Sequence, residues 1–338
     1  MREGLFARPA GVLIAVLLAG AQPSLARADR PWVFGSIAPE GSVYADGSEG
    51  VARAIEGEIQ GLRIKRRFGG VLGDELSTVR MVQQGRIELF TGSLGALVDL
   101  VPELRVLELP YLFADDATLY AAVRRLERGR WAELQRAVSA KGMTLLSLSA
   151  LGWRNVASLG APIRSTQDLR ALRVRSQAAE VHHAMWIAFG ARPVETPLNT
   201  LLQDLRNKDL RALDIPVTFL FGTSAHELVR SVTLTRHIPQ FVVLVASKPA
   251  WDALPAAQRA RAIDRIDKVT ARAEQRASQF DDELLGMLAS RGVEIVRPTP
   301  AELATFRSAV ARLSDSLGKL TSTERAILGS VRRAIAGE

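Results

Sequence analysis

Residues 32–93 read WVFGSIAPEGSVYADGSEGVARAIEGEIQGLRIKRRFGGVLGDELSTVRMVQQGRIELFTGS. Residues 32–37 are a short apolar run that ends at Ala38-Pro39-Glu40-Gly41-Ser42, a strand followed by a turn. Residues 45–59 have apolar side chains at helical spacing. Residues 62–68 alternate, with Leu62, Ile64 and Arg66 on one face, which predicts a second strand. Gly69, Gly70 and Gly73 then break the chain. Residues 75–84 make a short helix closed by Gly85, residues 87–91 a third strand, and Gly92-Ser93 ends it. The order β-α-β-α-β is that of an α/β layer with crossover connections.

The same alternation continues outward. Residues 106–113 are apolar around Pro110, 119–138 have helical spacing, and 144–149 read as a strand followed by Gly152-Trp153-Arg154. Ser165 and Asp168 stand at capping-box spacing. Further strands are expected at 172–175, 210–215, 242–246 and 293–296, and helices at 178–189 and 200–207. Residues 255–290 form one long helical pattern with few breakers. Thr299-Pro300-Ala301-Glu302 opens a helix running to about residue 320, with a last one from Thr323. Strands and helices fall into two batches that divide near residue 150, so two α/β domains are expected, with the long helix bracing both.

The chain has 338 residues, 47% apolar and 24% charged, and no cysteine. That composition excludes a disulfide scaffold, a thiolate nucleophile and a cysteine metal site. The net charge is +8, and only six of the 44 basic residues are Lys. The Arg residues are scattered among acids, unlike the clustered stripe of a nucleic-acid binder, so no nucleic-acid partner is expected. At the N-terminus, Arg2 and Arg8 flank the start of an apolar run at 11–20, and Ala26-Arg27-Ala28 precedes Asp29. These are the three parts of a secretory signal peptide, residues 1–28. The run is about half the ~20 apolar residues of a spanning helix. The expected location is the periplasm.

Few residues carry chemistry by pattern. The four His (182, 183, 226 and 237) show no metal spacing, and the glycines at 69–73 lack a Walker ending; no cofactor and no metal are expected. Thr91-Gly92-Ser93-Leu94-Gly95 resembles a nucleophile elbow after a strand. Asp209 or Asp214, then His226 or His237, keep a hydrolase order, which leaves a secreted serine hydrolase open as an alternative. Arg154 and Arg175 follow or end strands, where open α/β sheets bind ligands. A guanidinium fork matches a carboxylate bidentately.

Several blocks, in order, carry a resemblance to a known family. They are Ala38-Pro39-Glu40-Gly41-Ser42, Gly69-Gly70-Val71-Leu72-Gly73-Asp74-Glu75, and Val82-Gln83-Gln84-Gly85-Arg86-Ile87-Glu88. Next come Val101-Pro102-Glu103-Leu104 with Leu109-Pro110-Tyr111-Leu112-Phe113, and Asp168-Leu169-Arg170-Ala171-Leu172-Arg173-Val174-Arg175. Gly190-Ala191-Arg192-Pro193 and Ser247-Lys248-Pro249-Ala250-Trp251 follow. From about residue 32 to 254 the chain resembles the DctP-type extracytoplasmic solute-binding proteins of TRAP transporters. The resemblance implies a two-lobed periplasmic binding protein-like fold, a ligand cleft between the lobes, and hinge closure. It implies lobe I at 29–149, lobe II at 150–236, a return through lobe I with the long helix at 237–290, and completion of lobe II with C-terminal helices at 291–338. The family's carboxylate-binding Arg falls on Arg175 and a second ligand Arg on Arg154. Ser93 becomes a cleft contact rather than a nucleophile, and Asp214 and Ile215 fall in a further ligand stretch. There the sequence departs from the family: Lys208 replaces Gly, Arg211 replaces Asp, and Ile215 replaces an Asn that touches ligand in some members. Losing that amide removes two hydrogen-bonding functions, which argues against a polyhydroxylated ligand.

The implied function is non-enzymatic: capture of a small organic anion and its delivery to integral membrane TRAP permease subunits, with a sensing role as a further alternative. Cleavage after Ala28 is expected to leave an exported product starting at Asp29, read directly by intact mass; a product retaining residues 1–28 would refute the leader.

Overall fold

A computed structural model describes residues 30–38, 42–207, 209–313 and 317–338. The expected leader, Pro39-Glu40-Gly41 of the first turn, and Lys208 lie outside them. In chain order the first elements are β1 (Trp32–Ser36), α1 (Val43–Glu58), β2 (Ile64–Arg67), α2 (Glu75–Gln83), β3 (Leu89–Ser93) and α3 (Leu94–Val98). After a 3-10 turn at Pro102–Glu108 come α4 (Asp116–Arg128), α5 (Ala132–Ser139) and β4 (Met143–Ser158). Then follow β5 (Arg173–Ser176), α6 (Glu180–Ala188), β6 (Arg192–Glu195), α7 (Leu201–Asn207), β7 (Ala212–Pro216) and α8 (Val217–Gly222). The chain finishes with β8 (Ser231–Ser247), α9 (Lys248–Asp252), α10 (Ala256–Ser290), β9 (Glu294–Val296), α11 (Pro300–Val310) and α12 (Ser322–Ala336).

The two long antiparallel strands β4 and β8 belong to two half-sheets at once. One half runs β2-β1-β3-β8-β4; the other runs β8-β4-β7-β5-β6, with β9 added beside the start of β8. Within each half the short strands are parallel, as crossover helices require. The protein is therefore a two-lobed α/β fold whose lobes share β4, β8 and α10. Both long strands exceed the expected runs at 144–149 and 242–246. They are buried on both faces almost throughout, so they read as apolar runs rather than as alternation, and polar interruptions hid their length.

One core of the first lobe gathers Trp32, Phe34, Ile55, Leu89, Trp251 and Ile266. A core of the second gathers Leu201, Leu213, Ile215, Leu284 and Leu288. Ile266 and Leu288 both lie on α10, about 33 Å apart at 1.5 Å per residue, so this one helix fills a core in each lobe. The helix expected at 119–138 is two helices. Arg130 and Trp131 take left-handed backbone (φ +48° and +47°). That turn sends Trp131 into the core while the Arg130 guanidinium lies 4.7 Å from its ring centroid and pairs with Asp267 of α10. α12 packs against α4 and the Pro102–Glu108 turn.

Between the half-sheets the β4–β8 register slips at Ala150/Trp153. Gly152 sits in this bulge with φ +83°, and a Cβ there would lie 2.5 Å from Asp281 Oδ2 of α10. Both facts demand glycine. The Ala150 amide donates to Glu274 Oε1 of α10 at 3.0 Å. Burial pushes Glu274 up to about 7, from an ordinary 4.5, against that stabilising hydrogen bond. A raised carboxyl pKa means the folded state prefers the neutral acid, so stability falls as pH rises from about 4.5 to about 7 and stays lower above. Glu274→Gln keeps an acceptor for Ala150 without the charge. It is expected to gain about 1–3 kcal/mol over the parent at pH 8 and almost nothing at pH 5, measured by thermal unfolding at both values.

Candidate functional site

The bulge in β4 turns Arg154 toward the second lobe, where it stands opposite Pro216 of β7 and Ile238 of β8. Arg154 thus lies inside a continuous strand; the expected strand end before it does not exist. Its guanidinium is buried, and each of its three nitrogens makes a hydrogen bond. Nε donates to Asp214 Oδ2 (2.6 Å), Nη1 to Gln240 Oε1 (2.8 Å) and Nη2 to the Asp214 carbonyl (2.9 Å). Asp214 has no exposed surface. Trp186 Nε1 donates to its Oδ1 at 3.4 Å, and the rings of His182 and His237 approach Oδ2 at 3.2 and 3.7 Å. Burial alone would raise the Asp214 pKa, but Arg154 and the two imidazoles outweigh it and hold it well below the carboxylate range. His237 goes the other way: burial lowers it.

Arg175 comes from β5, one residue before the strand ends. It is as buried as Arg154, yet its described hydrogen bond uses only Nε, which donates to the Thr196 carbonyl at 3.0 Å. Among the described residues none of its nitrogens has a carboxylate within ion-pair distance. Burial first, and the Arg154 charge second, push Arg175 down to about 10. A buried guanidinium without a counter-ion is a costly arrangement.

Both arginines line a cleft of about 900 Å³, part of it open to solvent, together with Glu75, Ser93, Gln177, Ile215 and Gln240. Ser93 caps α3, accepting from the Ala96 amide. Its hydroxyl donates to Glu75 Oε2 (2.7 Å) and its amide to Glu75 Oε1 (2.6 Å). Burial raises the Glu75 pKa despite those two bonds. Arg154, Arg175, Ser93 and Ile215 thus come together on one wall. Asp214, expected as a ligand contact, does not line the cleft; it stands behind Arg154 and orients it.

The elbow reading of Ser93 finds no base. The hydroxyl points at a carboxylate, His226 Nδ1 is on the Leu220 carbonyl at 3.2 Å, and His237 Nδ1 is on Thr235 at 2.8 Å. The sequence reading also missed Glu75, Gln177 and Gln240. Glu75 stands next to the α2 cap Asp74 and in sequence marks only the start of that helix and the end of the 69–75 block; the two glutamines fit no motif. The argument against polyhydroxylated ligands rested on Ile215 alone, and these three side chains supply polar functions elsewhere on the wall.

Removing Asp214 should be severe, because it strands a buried cation. Asp214→Ala is expected to cost about 3–5 kcal/mol in urea unfolding, whereas Asp214→Leu with Arg154→Met should recover much of that loss. Equal losses in both would show that the pair is not the source.

With this geometry in place, the comparisons are informative. The chain is 21% identical over 235 residues to the 2,3-diketo-L-gulonate-binding periplasmic protein YiaO of Escherichia coli, covering 70% of this chain and 71% of that one. It is 24% identical over 246 residues to the C4-dicarboxylate-binding periplasmic protein DctP of Rhodobacter capsulatus, covering 72% of each. In structure it matches the sugar acid binding protein DctPAm of Advenella mimigardefordensis, solved with galactonate. The TM-score is 0.82 at 22% identity, over 90% of this chain and 98% of that one. A TRAP periplasmic solute-binding protein of Desulfovibrio salexigens, solved with orotic acid, gives a TM-score of 0.84 at 18% identity, over 91% and 99%. The family model for DctP, described as bacterial extracellular solute-binding protein, family 7, matches residues 34–319. That match spans both lobes and every cleft residue named above, and the chain belongs to this family.

Proposed function

We propose that the protein captures a small organic carboxylate in the cleft between its lobes, without covalent chemistry, and delivers it from the periplasm to the integral membrane subunits of a TRAP permease. The observation that carries this reading is Arg175: a buried cation on the cleft wall, bonded only through Nε and lacking a carboxylate partner among the described residues. A carboxylate ligand supplies the missing counter-ion and takes a bidentate hydrogen bond from the free edge of the fork. Arg154, its charge paired with Asp214, stays fixed as a hydrogen-bond donor on the cleft lining. Ser93, held by Glu75, and Ile215 complete the contact surface. Among the described residues no helix is long and apolar enough to cross a membrane, which suits a carrier that meets its permease at a surface.

The lobe boundaries of this reading are those expected from the sequence except at the C-terminus, where α12 packs on α4 and the Pro102–Glu108 turn and so goes with the first lobe; 150–236 closes on 29–149 about the β4 bulge. The ligand class follows from the relatives, whose names and bound molecules are galactonate, 2,3-diketo-L-gulonate, C4-dicarboxylates and orotic acid. All carry an ionised acid.

Thermal unfolding against D-galactonate, D-glucuronate, orotate and succinate, with Arg175→Ala alongside, tests the proposal. A bound acid at 100 times its Kd stabilises the native state by about 2.7 kcal/mol. One or more acids are expected to raise Tm, and Arg175→Ala should abolish that rise. A rise that survives the substitution would overturn Arg175 as the anchor, and a flat response to every carboxylate would overturn the ligand class.

A further inference from the structure

Behind the cleft wall lies a group that anion capture does not use. His182, on α6, is wholly buried. Its Nδ1 is 3.2 Å from Asp214 Oδ2, and its Nε2 is 3.0 Å from Gln177 Nε2. Gln177 is a wall residue of the cleft. One imidazole therefore touches both the carboxylate that orients Arg154 and an amide that faces the ligand.

The contacts fit one neutral tautomer. A neutral ring with its hydrogen on Nδ1 donates to Asp214 and keeps a lone pair on Nε2. That lone pair accepts from the Gln177 amide nitrogen. The nitrogen end of the amide also packs on Gly95, where a Cβ would collide with it, so the carbonyl is the end left for the cleft. When Nε2 gains a proton, it no longer accepts. The stable alternative is the amide turned by half a turn, with its oxygen on the imidazolium and its NH2 toward the cleft.

We propose that His182 is a positioning residue whose protonation flips Gln177, so that the cleft offers an acceptor to its ligand at high pH and a donor at low pH. The groups facing His182 are Glu108 from the Pro102–Glu108 turn, Asp214 from β7, Arg154 from β4 and His237 from β8. Glu108 Oε1 is 3.6 Å from Nε2, near enough to favour the added charge but beyond hydrogen-bond reach, so the proton's acceptor is the Gln177 oxygen, whose amide is at 3.0 Å. Burial opposes the imidazolium, but Glu108 and Asp214 outweigh burial and Arg154, and the His182 pKa is raised. The donor state is thus reached at a higher pH than an ordinary imidazole would allow. For an anionic ligand the donor state binds tighter. This last consequence rests on the anion-capture reading; the flip itself does not.

The flip is tested without any ligand by NMR on the full exported chain labelled with 15N at Gln and His, titrated from pH 5 to pH 9. The Gln177 side-chain amide is expected to shift in one step, with the midpoint of the His182 ring nitrogens. In His182→Gln that step should vanish while the remaining Gln amides are unchanged. A Gln177 resonance that stays flat through the His182 titration, or a His182 that does not titrate, overturns the proposal. The consequence is read with D-galactonate by calorimetry at pH 6 and pH 9. The parent should bind roughly tenfold tighter at pH 6, the size of one charge-assisted hydrogen bond, and Gln177→Ala should lose most of that ratio. An equal ratio in Gln177→Ala would overturn Gln177 as the responding group. Galactonate binding at neither pH would count against anion capture of that acid, with the NMR step still deciding the flip.

Discussion

The contact between Arg154 and Asp214, 2.6 Å long and closed to solvent, is the interaction on which the site depends. Two guanidinium groups stand close enough that Arg154 lowers the pKa of Arg175. In a medium of low dielectric such a pair is unfavourable unless one charge is cancelled. Asp214 cancels Arg154 and is in turn approached by Trp186, His182 and His237. Arg175 is then the cation with spare hydrogen-bonding capacity. Spare hydrogen-bonding capacity on a buried cation is therefore confined to one edge of one side chain.

The backbone that makes this possible is the pair of shared strands. Because β4 and β8 pass through both half-sheets, residues from each lobe reach one cleft: Ser93 at the end of β3, Arg154 past the bulge, Arg175 near the end of β5, and Ile215 in β7. The bulge at Gly152 lets β4 change partners while α10 presses close, and two acids of that helix, Glu274 and Asp281, face the bend. Burial raises both, each to about 7. The joint between the lobes is thus the place where buried carboxyl groups meet irregular backbone.

Glu75 gives the cleft its remaining character. It holds Ser93 through two bonds and keeps a carboxyl near the arginines without forming an ion pair with either among the described residues. Burial raises its pKa against those two bonds, and the acid serves as a hydrogen-bonding group of the cleft lining rather than as a counter-ion.

Local patterns were enough to read the α/β class, the crossover order of residues 32–93, the long helix at 256–290 and the family, because periodicity, caps and motif order are encoded in neighbouring residues. Arg154 and Arg175 were marked by the resemblance, since composition alone made them two among many arginines. What the sequence did not carry was pairing at a distance. The full length of β4 and β8 depends on helices covering both faces, so no alternation announced it. The break at Arg130 and Trp131 follows from a core that accepts one tryptophan. Asp214 read as a ligand contact because its neighbours matched a ligand stretch, whereas packing places it behind Arg154, 60 residues away in the chain. Glu75, Gln177 and His182 have ordinary neighbours and acquire meaning only when β3, β5, α6 and β7 converge. The chain by itself determined which elements form and which family they resemble; only the tertiary structure decided which buried charge is satisfied and which is left for a ligand, because that choice is made by groups far apart in sequence sharing one low-dielectric space.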